Sequence, residues 1–246
     1  MHLLVLQHIA IEHPGSFRDF MRADGVNWDA VELDKGESIP SLDGYDAMIV
    51  MGGPMDIWEE KEHPWLIPEK KAIRAAVLER QMPYLGFCLG HQLLAVALDG
   101  EAGLMETPEV GILDVHLEPE GHADPLFKNM PTISPTLQWH SVEVQKLPSD
   151  SVALASSPAC NIQAFRTGRH AYGLQYHMEM TEDTVPEWGC LPAYQHALRK
   201  TLGADALTTM ESQVAERLSE FNQNAQTVYN NFMTIVRNNQ AGSSAA

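Results

Sequence analysis

A cysteine between two glycines is the first feature of this sequence that could carry chemistry. The segment Gly86-Phe87-Cys88-Leu89-Gly90-His91-Gln92 joins an apolar run, Pro83–Cys88, to a second apolar stretch, Leu89–Leu98. Small neighbours let a chain turn sharply and hold a nucleophile clear of the backbone. A helix that begins after the turn would favour the thiolate, because its N-terminus offers free N–H groups and a positive dipole end. The segment predicts a nucleophile elbow, with a buried structural cysteine as the alternative.

A histidine and a glutamate two residues apart could supply the base for such a nucleophile. His177-Met178-Glu179 follows a predicted strand over residues 172–176, and residues i and i+2 of a strand project to one face. Glu179 could therefore orient His177 while His177 takes a proton from Cys88, which is the arrangement used in acyl transfer. The alternative is an ordinary surface pair.

A glycine-rich turn could supply the third component. Gly52-Gly53-Pro54 ends the apolar run Ala47–Met51, and ligands of open α/β sheets bind outside the carboxyl ends of the strands. A glycine there lets a backbone N–H approach a developing oxyanion, beside the N–H of Leu89 that follows the nucleophile. The alternative is a turn without function.

The elements that must position these residues alternate between strands and helices. Three apolar runs, at residues 3–6, 47–51 and 83–88, are separated by predicted helices near residues 16–24 and 69–80, and a third helix follows over 89–98. Continuous apolar runs are typical of parallel strands buried on both faces. The pattern predicts an α/β fold with an open, mostly parallel sheet flanked by helices. Shorter strands are predicted at 111–117, 136–144, 152–155, 163–166 and 171–176, with a hairpin turn at 167–170.

The residues after about position 185 are predicted to be a helical extension. A helix over 193–202 ends at Gly203, and Thr208-Thr209-Met210-Glu211 has the spacing of a capping box. Apolar residues then recur at steps of three and four up to Ile235, which predicts an amphipathic helix of about 30 residues. Such a helix must lie along a whole face of the domain, bend, or meet a partner, so a homodimer through it is possible. We therefore divide the chain into a domain at 1–185 and an extension at 186–246, with residues 241–246 expected to be disordered.

Composition excludes several classes of protein. The chain has 246 residues, 44% hydrophobic and 20% charged, values typical of a soluble globular protein. The net charge of −17 disfavours nucleic acid and anionic membrane surfaces as partners. No apolar run is long enough to span a bilayer, and MHLLVLQHIA lacks the basic leader of a signal peptide. An odd number of cysteines without such a signal favours free thiols in the cytoplasm.

The remaining cysteines and the histidines give weaker signals. Cys160 and Cys190 lack a strand–turn–helix setting and a nearby base, so we expect them to be inert. The 11 histidines include no His-x3-His pair and none beside a cysteine pair, so we expect neither a metal nor another cofactor. Four of these histidines are predicted to be surface residues, namely His8, His13, His116 and His122.

Together, the three segments resemble the signatures of the class I (triad) glutamine amidotransferase family. Those signatures are a Gly-Gly-Pro oxyanion turn, G-x-C-x-G-x-[QH] and a later H-x-E, and they occur here in the family's order. The resemblance covers roughly residues 1–182 and is to the stand-alone, GMP-synthase-like glutaminases. Met178 is a departure, since many members carry proline between the histidine and the glutamate. The resemblance implies a flavodoxin-like fold.

The resemblance also implies roles for individual residues. Cys88 would attack the side-chain amide of glutamine, releasing ammonia and leaving a γ-glutamyl thioester that is hydrolysed to glutamate. His177 would act as general base and then acid, Glu179 would orient it, and the N–H groups of Gly53 and Leu89 would form the oxyanion hole. Substrate contacts are expected from Gly52, Gln92, Trp139, His140 and Ser141.

The acceptor of the ammonia is not encoded by any motif in the sequence. There is no G-x4-G-K-[ST] loop and no Ser-Gly-Gly-x-Asp-type pyrophosphatase loop. One hypothesis is a glutaminase that passes ammonia to a separate synthase partner. A second is a γ-glutamyl hydrolase or peptidase that uses the same triad, and a third is a non-catalytic regulatory binding module.

Overall fold

A single nine-stranded sheet organises the molecule. The computed structural model describes residues 1–203 and 205–243. The sheet has the strand order β2-β1-β3-β4-β9-β8-β7-β5-β6. Its strands are β1 (His2–Gln7), β2 (Asn27–Glu32), β3 (Ala47–Val50), β4 (Tyr84–Phe87), β5 (Glu101–Leu117), β6 (Ile133–Lys146), β7 (Ser151–Ser156), β8 (Ala164–Thr167) and β9 (Ala171–Leu174).

Helices cover both faces of the sheet. They are α1 (Phe17–Ala23), α2 (Leu66–Arg74), α3 (Leu89–Ala97), α4 (Pro119–Ala123), α5 (Thr184–Trp188), α6 (Pro192–Leu202) and α7 (Ala206–Ser243). A π-helical turn, Ala75–Glu79, extends α2, and 3-10 turns occupy Leu33–Lys35 and Pro125–Phe127. None of these helices is both long and apolar enough to cross a membrane.

The parallel half of the sheet confirms the predicted fold class. β1 pairs in parallel with β2 and β3, β3 pairs with β4, and β4 pairs with β9. Successive residues of β1 enter different cores, since Leu3 packs with α1 and α7 on one face and Leu4 with α2 and α3 on the other. Burial on both faces explains the continuous apolar runs in the sequence.

The antiparallel half differs from prediction in the length of its strands. β5 begins at Glu101, ten residues before the predicted start at Gly111, and pairs with β6 across an irregular register between Leu104 and Glu109. The first half of β5 is mostly exposed and its register is irregular, so the sequence shows no strand pattern there. β8 and β9 pair antiparallel with Thr167 opposite Ala171, which confirms the hairpin turn.

The C-terminal helices pack on the same chain. α6 ends at Gly203 as predicted, but α7 begins at Ala206, so Thr208 lies inside the helix and not at its N-cap position. The hydroxyl of Thr209 bonds the Asp205 carbonyl at 3.1 Å instead. Helix continues through Ser243, and residues 244–246 lie outside the described residues. The expected disorder at 241–246 stays a prediction.

The apolar stripe of α7 is buried against its own domain at both ends. Met210, Val214 and Phe221 share a core with Trp139 and Trp188. Further along, the helix joins the core beneath β1 and β4 through Ala225, Val228, Tyr229, Phe232, Met233 and Val236. Of the alternatives left open by the sequence, the helix therefore lies along a face of the domain. The division of the chain at residue 185 stays a prediction.

Candidate active site

Cys88 occupies a strained turn between β4 and α3. Its backbone has φ +48° and ψ −102°, and its N–H donates to the Leu174 carbonyl at 2.8 Å. The flanking glycines are required by close packing, because a Cβ on Gly86 would lie 2.5 Å from the Gly90 carbonyl oxygen. A Cβ on Gly90 would in turn lie 2.3 Å from the Val50 carbonyl oxygen. Because the two glycines have no side chains, the chain can turn sharply here. The strained backbone of Cys88 then holds its thiol at the N-terminus of α3.

His177 lies between the Cys88 thiol and the Glu179 carboxylate. His177 Nδ1 is 2.6 Å from Glu179 Oε1, and the Met178 N–H donates to the other carboxylate oxygen at 2.9 Å. Because Nδ1 faces Glu179, Nε2 is the nitrogen left to hydrogen-bond the thiol. Burial disfavours the imidazolium, but the Glu179 carboxylate and the bond to Cys88 hold the pKa of His177 well above its ordinary value.

The two glycines after β3 face different surroundings. Gly53 lines a pocket together with Cys88 and Leu89, and Leu89 is the first residue of α3, so its N–H has no acceptor within the helix. Gly52 lies instead behind the pocket, where a Cβ would meet Glu12 Oε2 at 2.5 Å and His177 Cε1 at 3.0 Å. The structure thus places Gly53 and Leu89 in one pocket with the thiol and sets Gly52 against the imidazole. Their role as oxyanion donors stays a prediction.

The other residues that were expected to contact substrate line the pocket beside Cys88. Gln92, Trp139, His140 and Ser141 all line it. The indole N–H of Trp139 is buried and has no hydrogen-bond partner among the described residues. A buried donor without a partner is costly, so this group is available to a bound ligand.

Gln92 is connected to the nucleophile through a second glutamine. Its Nε2 donates to the Val142 carbonyl and to Gln175 Oε1, each at 3.2 Å. Gln175 Nε2 lies 3.7 Å from Cys88 Sγ. The donor end of Gln92 is therefore occupied within the protein, and Gln175 is a donor to the sulfur that was not predicted from the sequence.

His140 is fixed by a buried polar network. Its Nδ1 lies 2.9 Å from the Val142 carbonyl and its Nε2 lies 3.1 Å from Glu109. Glu109 also accepts hydrogen bonds of 2.6 Å from Ser157 and from Gln163. Burial would raise the pKa of Glu109, but His140 and Ser157 outweigh it and lower that pKa. His140 therefore presents a fixed ring to the pocket.

The C-terminal helices form one wall of the pocket. No motif in the sequence predicted this contribution. Ala193, Tyr194 and Ala197 of α6 line the pocket. Trp188 of α5 lies edge-on to the His177 ring, with centroids 4.6 Å apart and planes at 77°. Trp188 and Tyr194 also contact each other, with ring centroids 5.7 Å apart. The available signal was a group of aromatic residues just after His177-Met178-Glu179.

Glu12 is a second carboxylate close to His177 that was not predicted from the sequence. It is 2% exposed, and it accepts a hydrogen bond from the Tyr194 hydroxyl. Burial raises its pKa, whereas the charge on His177 and the bond from Tyr194 oppose that rise. Its Oε2 atom has no hydrogen-bond partner among the described residues.

The prediction that His8 is a surface residue is wrong. Its side chain is fully buried, with Nδ1 2.7 Å from the Gly52 carbonyl oxygen and Nε2 2.9 Å from Glu69 Oε1. The reason is topological, because His8 directly follows β1, whose carboxyl end adjoins the end of β3. Glu69 faces inward from α2 between Leu66 and Ile73.

The other histidines and cysteines lie in varied settings. His116 and His122 are exposed as predicted, and His13 is half-buried. Cys160 is buried, and burial raises the pKa of its thiol to about 12, so it remains protonated at neutral pH. Cys190 is exposed just after α5, and its inertness stays a prediction.

Comparison with known proteins decides the family. Residues 18–185 match the family model described as glutamine amidotransferase class-I. The chain belongs to this family. The structure of a glutamine amidotransferase from Thermotoga maritima superposes on this amidotransferase with a TM-score of 0.84 at 25% identity, covering 96% of this chain and 98% of the other. A glutamine amidotransferase from Methylobacillus flagellatus gives a TM-score of 0.84 at 25% identity, covering 95% and 94%.

Two curated relatives of this amidotransferase differ in the activity that their names give. The first, from Methanocaldococcus jannaschii, is by name one of the subunits of a glutamine-hydrolyzing GMP synthase. It is 37% identical over 145 residues, which are 58% of this chain and 70% of the relative. The second, gamma-glutamyl peptidase 3 of Arabidopsis thaliana, is 23% identical over 201 residues, which are 79% of this chain and 80% of the relative.

Proposed function

We propose that this amidotransferase hydrolyses the side-chain amide of glutamine through a thioester on Cys88 and passes the ammonia to a separate synthase partner. One observation carries the proposal, namely that His177 Nδ1 lies 2.6 Å from Glu179 while the Cys88 thiol is close enough to raise the His177 pKa, beside a pocket that Cys88 lines. A nucleophile, a base and a group that orients the base are the minimum set for acyl transfer.

In the first half of the reaction, Cys88 is acylated. His177 takes the thiol proton, and the sulfur attacks the amide carbon of glutamine, whose carbonyl oxygen gains the negative charge. The N–H groups of Gly53 and Leu89 are the proposed donors to that oxyanion. His177 then gives its proton to the amide nitrogen, the C–N bond breaks, and ammonia leaves with a γ-glutamyl thioester on Cys88.

In the second half, water hydrolyses the thioester. His177 takes a proton from the water, whose oxygen attacks the thioester carbon, and the same two N–H groups stabilise the second oxyanion. The C–S bond breaks, glutamate leaves, and the proton on His177 returns to the sulfur. Glu179 keeps Nδ1 of His177 protonated in both halves, so that Nε2 is the atom that exchanges protons.

The synthase partner is proposed from the relatives. The Methanocaldococcus relative is by name part of a multi-subunit, glutamine-hydrolyzing GMP synthase, which supports an acceptor site on another polypeptide. A homodimer through α7 and a cytoplasmic location also stay predictions. The apolar stripe of α7 is covered by its own domain, so a dimer through this helix would use its polar face.

A γ-glutamyl peptidase is the second candidate, and one observation favours it. The match to the Arabidopsis peptidase covers more of this chain than the match to the archaeal synthase component, 79% against 58%. The same thioester chemistry would then cleave γ-glutamyl amides other than glutamine.

Turnover of a substrate panel separates the candidates. Purified protein is assayed on glutamine, γ-glutamyl dipeptides and glutathione, with and without the ATP-dependent component of a GMP-synthase-type enzyme, and with Cys88→Ala as control. The proposal predicts glutamine hydrolysis that rises severalfold with the synthase component. Partner-independent cleavage that prefers the peptides would support the peptidase. No turnover, together with no labelling of Cys88 by a γ-glutamyl electrophile, would support the regulatory module.

A further inference from the structure

A buried histidine–glutamate pair lies directly beneath the glycine turn after β3. His8 and Glu69 have fully buried side chains and face each other at 2.9 Å. Trp65 stacks on the His8 ring with centroids 5.3 Å apart and planes at 24°. The acyl-transfer steps above use neither residue. Burying an ionisable pair costs free energy unless hydrogen bonds of good geometry compensate for the lost water.

Both nitrogens of the His8 ring face hydrogen-bond acceptors. Nδ1 lies 2.7 Å from the Gly52 carbonyl oxygen, which can only accept, so Nδ1 must carry the proton of that bond. Nε2 lies against the Glu69 carboxylate. The ring is thus held by Glu69 and Trp65 on one side and holds the Gly52 carbonyl on the other.

The Gly52 carbonyl and the Gly53 N–H belong to the same peptide plane. None of the described peptide bonds is cis, so this C=O and this N–H point in opposite directions. Because the carbonyl oxygen points at His8, the N–H points away from His8, and Gly53 lines the pocket beside Cys88 and Leu89. Rotation of this peptide would exchange the two groups and present a carbonyl oxygen to the pocket.

We propose that His8, held by Glu69, is a positioning residue that fixes the Gly52–Gly53 peptide with its N–H directed at the oxyanion. The inference rests on the proposed acyl transfer and adds to it the element that sets the oxyanion hole. The packing around Gly53 supports it, since a Cβ there would lie 3.0 Å from His8 Cβ and 3.1 Å from Leu89 Cδ2. There is thus no room for a side chain between Gly53 and His8, and the ring itself contacts the turn through the Gly52 carbonyl.

The test compares two variants in a Glu69→Gln background, where no buried charge is left unpaired. His8→Asn keeps a donor close to the position of Nδ1, whereas His8→Leu removes it. Loss of one oxyanion donor lowers kcat by about 100-fold or more, so we expect His8→Leu to lose about that much relative to His8→Asn. His170→Leu is the matched control, because His170 is a buried histidine at the opposite end of β9 from Cys88, and it should retain activity.

A second readout separates positioning from general damage to the site. Alkylation of Cys88 by iodoacetamide forms no oxyanion, so its rate should stay within about twofold in both His8 variants. Equal kcat in His8→Asn and His8→Leu would overturn the proposal. Parallel losses of kcat and alkylation rate in His8→Leu would overturn it as well, since they would indicate a structural role.

A measurement without turnover keeps this inference distinguishable from the proposed function. Long-range 1H–15N NMR of the full chain should show a protonated Nδ1 on His8 at pH 7, and His8→Leu should lack that signal. An unprotonated Nδ1 would overturn the proposed positioning role of His8, even if the enzyme were active. A wild-type protein that turns over no γ-glutamyl compound but shows the protonated Nδ1 would instead contradict the proposed function alone.

Discussion

Trp188 lies edge-on against the imidazole of His177, with ring centroids 4.6 Å apart. This contact places a residue of the C-terminal extension on the proposed base itself. Tyr194, six residues further on, reaches the same region through its hydrogen bond to Glu12. The helices after residue 181 thus complete the site as well as the core.

Tyr194→Phe should change the pH dependence of the reaction. Loss of the hydroxyl donor raises the pKa of buried Glu12 further, and a protonated Glu12 no longer favours the imidazolium of His177. His177, Glu179 and His8 are the other titratable groups that face Glu12. His177 must be unprotonated to take the thiol proton, so its pKa sets the acid limb of kcat/KM. Because the His177 pKa would fall, that limb should move to lower pH, as measured by initial rates between pH 5 and 10.

Tyr229→Phe is the control for that experiment. Tyr229 is also buried, and its hydroxyl bonds a carboxylate, Asp24, at 3.2 Å, but it lies on α7 in the opposite core. The control should leave the limb in place. An unmoved limb in Tyr194→Phe, or the same shift in both variants, would count against a role for Glu12.

Glu179→Gln should cost activity through the tautomer of His177. The Met178 N–H requires an acceptor, so the new amide oxygen would turn toward it and the NH2 group would face Nδ1. Nδ1 would then have to accept, and Nε2 would carry the proton that it should take from Cys88. We expect kcat to fall by about 10²–10⁴-fold with little change in melting temperature. A loss below about fivefold would contradict the orienting role.

Glu109→Gln should alter the pH dependence of stability. The pKa of Glu109 is lowered in the folded protein, so its charge stabilises the fold above the ordinary value of 4.5, and this stabilisation is lost as pH falls through the lowered folded pKa. The difference in unfolding free energy between wild type and variant should thus be full at pH 6 to 7 and shrink in acid. Urea titrations at several pH values measure it, and a pH-independent difference would contradict this account.

The features that could be predicted from the sequence are those set by residues close together in the chain. The turn at Cys88 and the pair His177/Glu179 are each set by residues within a few positions of one another, and apolar runs mark the parallel strands. Contacts over long sequence separation were missed. Glu12 and Tyr194 are 182 positions apart, and His8 and Glu69 are 61 apart, so no local period reports either pair. The one available hint for His8 was its position, directly after β1 at the edge of the sheet that holds Cys88.

The central claim is that Cys88 forms the γ-glutamyl thioester, and acid-quenched peptide mass spectrometry after incubation with glutamine tests it most directly. We expect a γ-glutamyl adduct on the peptide that contains Cys88 in the wild type, and neither adduct nor turnover in Cys88→Ala. An adduct on Cys160 or Cys190, or a Cys88→Ala variant that still hydrolyses glutamine at the wild-type rate, would contradict the claim.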